Sequence, residues 1–129
     1  ALANLADGSA RRIVKPDQVF NRIHVDDIAA AIDAAFAQET AGVFNVVDDE
    51  PAPAQDVVAY AAGLMGVTPP PEIPFDEADL TPMARSFYGE NKRVRNDHLK
   101  GGLGLNLAYP TYREGLPALW KAGEGKAAD

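Results

Sequence analysis

The feature that most constrains the fold is a switch of hydrophobic period that occurs twice in succession. NRIHV (21–25) is β-rich and runs straight into DDIAAAIDAAFAQ (26–38), where Ile28, Ile32, Ala35 and Phe36 fall on one helical face. Gly42 then releases VFNVV (43–47), a short apolar run that Asp48-Asp49-Glu50-Pro51 ends. From Pro53, AQDVVAYAAGLMG reads as helix again, with Val57, Ala61, Leu64 and Met65 on one face and Gly66 as the stop. The chain therefore reads as α/β. Bracketing by two helices assigns VFNVV a buried parallel position, with helix 26–38 packed on the sheet. Asp26 or Asp27 is expected to accept from the free N–H groups of that helix.

The flanks extend this order. ALANLADG resembles the end of a helix, with Leu2 and Leu5 spaced i,i+3 and Gly8 stopping it; no helix start and no initiator Met precede it, which suggests that the natural polypeptide extends upstream. Two β-rich runs, Arg12–Val14 and Val19–Val25, flank Lys15-Pro16-Asp17-Gln18 and predict a hairpin. VTPPPEIPFDEADLTP carries five prolines in sixteen residues, too many for regular hydrogen-bonded structure, and reads as an ordered excursion pinned by Ile73, Phe75 and Leu80. PMARSFYG is a short helical candidate, KRVRN an extended run, and Asn96 a cap for DHLKGGLG. Thr111 and Glu114 form a capping box for a last helix that presents Tyr112, Leu116, Leu119 and Trp120 on one face before Gly123. Residues 124–129 read as a frayed tail, and the whole of 1–129 as a single domain.

Composition excludes several partners. Twelve Lys+Arg against nineteen Asp+Glu give a net charge of -7, which repels nucleic acid and anionic lipid. The chain has no cysteine, so disulfides, thiolate nucleophiles and cysteine zinc sites are absent together. No apolar run approaches the roughly 20 residues that span a bilayer. The expectation is a cytoplasmic protein with no nucleic-acid or membrane partner.

Residues with chemical potential do not assemble into a catalytic apparatus. Asp26-Asp27 and Asp48-Asp49-Glu50 fit no established metal loop and read as capping and turn residues. Gly101-Gly102-Leu103-Gly104 ends a helix, whereas a dinucleotide loop opens one. Tyr88-Gly-Glu-Asn-Lys92 matches Tyr-x-x-x-Lys as a string, but Gly89 and Asn91 argue against the firm helix that would place the lysine beside the phenol. His24 and His98 lack partners for a triad, and Ser9 and Ser86 lack a nucleophile-elbow context. Arg85, Lys92, Arg93 and Arg95 form a basic group that suits a phosphate or carboxylate.

NRIHVDDIAAAI, followed about twenty residues later by GVFNVVDDEPAP, resembles the C-terminal half of extended short-chain dehydrogenases/reductases, the NAD-dependent epimerase/dehydratase superfamily. HLKGGLGLNLAYP and TYREGL continue the likeness to the end of the chain. The resemblance implies the C-terminal, substrate-side portion of such a fold, with short strands and packed helices and without its N-terminal Rossmann domain. In that family the Rossmann part binds NAD or NADP and supplies the Tyr-x-x-x-Lys pair, both ahead of the histidine-aspartate motif. By this resemblance the chain holds no catalytic, cofactor-binding or metal residue, and Tyr88–Lys92 is a decoy. Sugar-nucleotide members usually place an arginine where Phe20 stands, whereas Arg85 lies near the position of a second phosphate-gripping arginine.

The resulting expectation is the substrate-binding portion of an NAD(P)-dependent oxidoreductase, epimerase or dehydratase, incomplete as an enzyme by itself. Arg22, Arg85, Tyr88, Lys92 and Arg93 are its candidate contacts to a small-molecule substrate. The alternative is a non-catalytic regulatory or protein-interaction module that keeps the superfamily fold. The expected partner is the N-terminal Rossmann part of the same polypeptide; in its absence the exposed apolar surface predicts self-association.

Overall fold

Helix α1 (Leu2–Ala6), strand β1 (Arg12–Val14), helices α2 (Val25–Ala37) and α3 (Ala54–Met65), strand β2 (Glu72–Pro74), and helices α4 (Pro82–Ser86), α5 (Asp97–Leu103) and α6 (Tyr112–Ala122) follow one another along the chain. A 3₁₀ turn, Phe75–Glu77, follows β2. The computed structural model describes residues 1–126. Its contacts fall into two units. The first comprises Ala1–Phe20, Ala52–Lys92 and the chain from Leu116; the second comprises Asn21–Pro51 and Arg93–Gly115. Helix α6 is divided between them, with its first turn in the second unit.

In the first unit, α3 packs on both α1 and β1. Ala61 and Ala62 present only methyl groups there, which lets the elements approach closely around Leu2, Ile13 and Val57, all buried. Gly66 ends α3 in the left-handed conformation (φ 67°), which a residue without Cβ adopts freely. Thr81 caps α4 by accepting the Ala84 N–H at 3.2 Å, and Pro82 follows in the first turn.

The sheet differs from the expected hairpin. β1 pairs in parallel with β2, in the register Arg12↔Glu72, Ile13↔Ile73 and Val14↔Pro74. The proline-rich excursion thus contributes a strand, and Pro74 is tolerated because it stands at the strand's end. The turn at Lys15–Gln18 does form, with the Gln18 N–H on the Lys15 carbonyl and Asp17 at φ 61°. The segment after it is claimed by other partners. Asn91 accepts the Val19 N–H (3.1 Å) and donates to the Asp17 carbonyl (2.9 Å), while Gln18 donates to the Glu90 carbonyl (2.7 Å). Of the run 19–25, only Phe20 makes a bridge, antiparallel to Ala52.

The expectation of a frayed tail also needs correction over residues 124–126. Glu124 N–H reaches the Leu119 carbonyl and Lys126 N–H the Gly123 carbonyl, and Gly125 lies so close to Leu2 that a Cβ would meet its carbonyl oxygen at 3.0 Å. Residues 127–129 lie outside the described residues.

The second unit centres on Ala31, Leu99 and Leu103, where α2 packs on α5 with Phe44, Leu105 and Leu107 alongside. His24 caps α2 by accepting the Asp26 N–H on Nδ1. Asp27 does not serve the helix start: it is buried and accepts the Ala108 and Tyr109 N–H groups at 2.8 and 2.9 Å. Asn96 stands at the cap position of α5, but its amide donates to the Val47 carbonyl and Asp49 instead. The capping box of α6 forms as expected, with Thr111 N–H and Oγ1 both on Glu114 Oε2.

The expected apolar face of α2 is not covered by a sheet. Along it Ile32 is 53% and Phe36 79% exposed, Val43 beyond the helix is 87% exposed, and Ala31 is buried. VFNVV joins no ladder, so the predicted buried parallel strand is absent among the described residues. Among those residues, no helix is long and apolar enough to cross a membrane.

Candidate functional site

The sequence-derived site residues separate into two groups. Arg85, Tyr88 and Lys92 belong to the first unit, and Arg22 and Arg93 to the second.

In the first unit an aromatic cluster forms around the proline-rich segment. Tyr88 meets Phe20 edge-on at 5.1 Å and Phe75 at 5.0 Å between ring centroids. Arg85 lies over the Phe75 ring at 4.7 Å and donates to the Ala78 carbonyl at 3.0 Å; Lys15 lies over the same ring at 5.2 Å and donates to the Tyr88 carbonyl. Burial raises the Tyr88 pKa, against the opposing charge of Arg11. α4 ends at Ser86, so Tyr88 and Lys92 do not share a helix, and Lys92 pairs with Glu90 at 2.7 Å on the surface.

In the second unit the Asp48–Glu50 turn meets the segment Arg93–Asp97 across a cavity of about 320 Å³. Asp48 is only 4% exposed, and one oxygen accepts the Glu50 N–H at 3.0 Å. Burial pushes its carboxyl up to about 6, against the Glu50 N–H and the Arg22 charge, which favour the carboxylate. Burial likewise lowers the Arg22 pKa, opposed by Asp48, Tyr112 and Glu50. Asp49 is held below the usual carboxylate range by Asn96 and Lys100, whose ammonium contacts both its oxygens at 2.7 and 2.9 Å. Arg113 bonds Glu50 and lies over the Tyr112 ring.

Of the arginines named from the sequence, Arg93 lines this cavity, and the buried carboxylate was missed. Asp48 has the local signature of a turn residue, and it does make an Asx-type turn; burial is set by segments some fifty residues away, which no local spacing reports. The roles of Gln18 and Asn91 were missed for the same reason.

Among the described residues, no group of three or more His, Cys, Asp or Glu is arranged to hold a metal ion. Acidic residues also stand at the starts of the longer helices: the first turns of the three longest carry Asp26 and Asp27, Asp56, and Glu114. Gly101 and Gly102 lie inside α5, and a Cβ at Gly102 would meet Phe44 and His98 at 3.0 Å; the glycine serves packing.

No protein-family model matches the chain. It is 33% identical over 99 residues to a 3-diazoavenalumate denitrifying reductase from a Streptomyces species, covering 73% of this chain and 32% of the reductase. It thus spans about a third of the length of that curated relative. A conserved protein of unknown function from Silicibacter pomeroyi shares 61% identity and superposes with a TM-score of 0.86, over 91% of this chain and 43% of that one. The human epimerase family protein SDR39U1 (isoform 2), solved with NADPH, is 20% identical with a TM-score of 0.75, over 93% of this chain and 41% of that one. The chain therefore has the α/β fold found in part of an epimerase-family protein.

Proposed function

We propose that the chain is the substrate-side portion of an NAD(P)-dependent oxidoreductase or epimerase-like protein, whose cofactor is held by a Rossmann part of the same polypeptide. The observation that carries this reading is the uncovered face of the second unit. Val25, Ile28, Ile32 and Phe36 form one exposed apolar stripe along α2, and the VFNVV segment that follows joins no sheet. A Rossmann sheet offers what that face lacks: a strand neighbour for 43–47 and an apolar surface for α2. Acidic residues at the helix starts agree with the cofactor being held elsewhere. The candidate substrate contacts remain Arg22, Arg85, Tyr88, Lys92 and Arg93, each within its own unit, in a cytoplasmic protein.

Calorimetry tests the division of labour. A longer polypeptide that carries a Gly-rich strand–turn–helix domain ahead of this chain is expected to bind NADPH or NADH, and the 129-residue chain alone is expected to bind neither. Tight binding of either nucleotide by the isolated chain overturns the reading. A longer polypeptide that binds cofactor but lacks a Tyr–Lys pair and turns over no substrate favours a regulatory role.

A further inference from the structure

The cavity between the Asp48–Glu50 turn and the Arg93–Asp97 segment has a composition that points to a ligand class. At about 320 Å³ it lies at the lower end of the size range of small-molecule sites, about 300–1,000 Å³. Several of the charges around it contact one another. Asp49 is held by Lys100 and Asn96, and Arg95 by Asp97 at 2.6 Å. Asp48 differs: its carboxylate is almost wholly buried, one oxygen is bonded to a backbone N–H, and further lone pairs can take a donor. A nearly buried carboxylate lining a cavity is a recognised mark of a binding position. Arg93, from the facing segment, brings a guanidinium fork suited to a carboxylate or phosphate. Pro51 and Val94 supply the apolar part of the wall.

We propose that this cavity is a binding subsite for a small hydroxyl-bearing anion, with the hydroxyl donating to the Asp48 carboxylate and the anionic group held by the Arg93 guanidinium. A hydroxycarboxylate and a polyol phosphate share that chemistry. The site is built from the second unit alone, so it stands or falls separately from the cofactor reading.

The test is calorimetric titration of the 129-residue chain at neutral pH with glycerate and with glycerol 3-phosphate. Propionate and ethyl phosphate serve as anions without a free hydroxyl, and glycerol as a polyol without charge. At least one hydroxyl-bearing anion is expected to saturate, roughly tenfold tighter than its hydroxyl-free counterpart, and glycerol is not; the tighter of the two identifies the anionic group. Arg93→Ala is expected to weaken binding roughly tenfold or more, and Asp48→Asn to remove the preference for the hydroxyl. The proposal is overturned if neither anion saturates, if the hydroxyl-free anions bind as tightly, or if Arg93→Ala changes nothing. Circular dichroism monitors folding of Asp48→Asn; should that variant unfold, Arg93→Ala, at an exposed position, decides the question.

Discussion

The two units bury their apolar residues by different means. The first closes its core with its own elements: α1 and β1 pack on α3, β2 pairs with β1, and Leu2 is fully covered. The second buries Leu99, Leu103 and Ala31 but relies on side-chain bonds to hold its irregular segments. Asp27 takes two backbone N–H groups, Asn21 takes the Val94 N–H, and Asn45 donates to the Arg95 carbonyl. Its apolar stripe stays in water. Such an uncovered apolar face agrees with the partner surface proposed above.

The largest expected effects test whether the two cores differ. Leu2→Ala and Leu99→Ala both empty fully buried positions. Leu2→Ala is expected to cost about 3 kcal/mol and Leu99→Ala about 2 kcal/mol in urea unfolding, because the smaller core of the second unit relaxes more readily. The reverse order would break the comparison. Asp27→Ala strands two backbone donors and is expected to cost about 2 kcal/mol, with Asp27→Asn, which keeps one acceptor, falling between.

Phe36→Glu addresses the open face. It is expected to change stability by about 0.5 kcal/mol or less, yet to abolish the self-association expected of the isolated chain in light scattering. A wild-type chain that remains monomeric at high concentration would count against the face as an interface. Thr111→Ala removes half of a capping box and is expected to cost about 1 kcal/mol.

A further test concerns pH. Asp48 has its carboxyl raised from 3.8 to about 6, so the folded chain holds this proton more tightly than the unfolded one. Its contribution is fully present below about pH 4 and is lost as pH rises through about 6. Asp48→Asn should therefore gain stability relative to wild type across that window, with a constant difference above it. A difference independent of pH would remove Asp48 from the titrating groups.

Much of the helical order was legible because its signals are local. The capping box at Thr111, the stop at Gly66 and the stripes of α2 and α3 lie within a few residues of the features they determine. The strands were not. Arg12–Val14 has ample β propensity, but its partner lies some sixty residues away in a segment whose prolines argued against pairing. The turn at Lys15–Gln18 was read correctly and the hairpin wrongly, since Asn91 and Glu90 take the bonds a second strand would need. The site followed the same rule: arginines announce themselves by type, whereas the burial of Asp48 arises only when distant segments meet.

Asn91 has a consequence for the order of events during synthesis. Its carboxamide stands in for a neighbouring strand by bonding both Asp17 and Val19. β1 likewise waits for Glu72–Pro74. At about 5–20 residues per second, a ribosome needs roughly 4–15 s to travel from this segment to Asn91. Throughout that interval the chain around Asp17 has been made without its bonds to Asn91, and an amide from a much later codon supplies them.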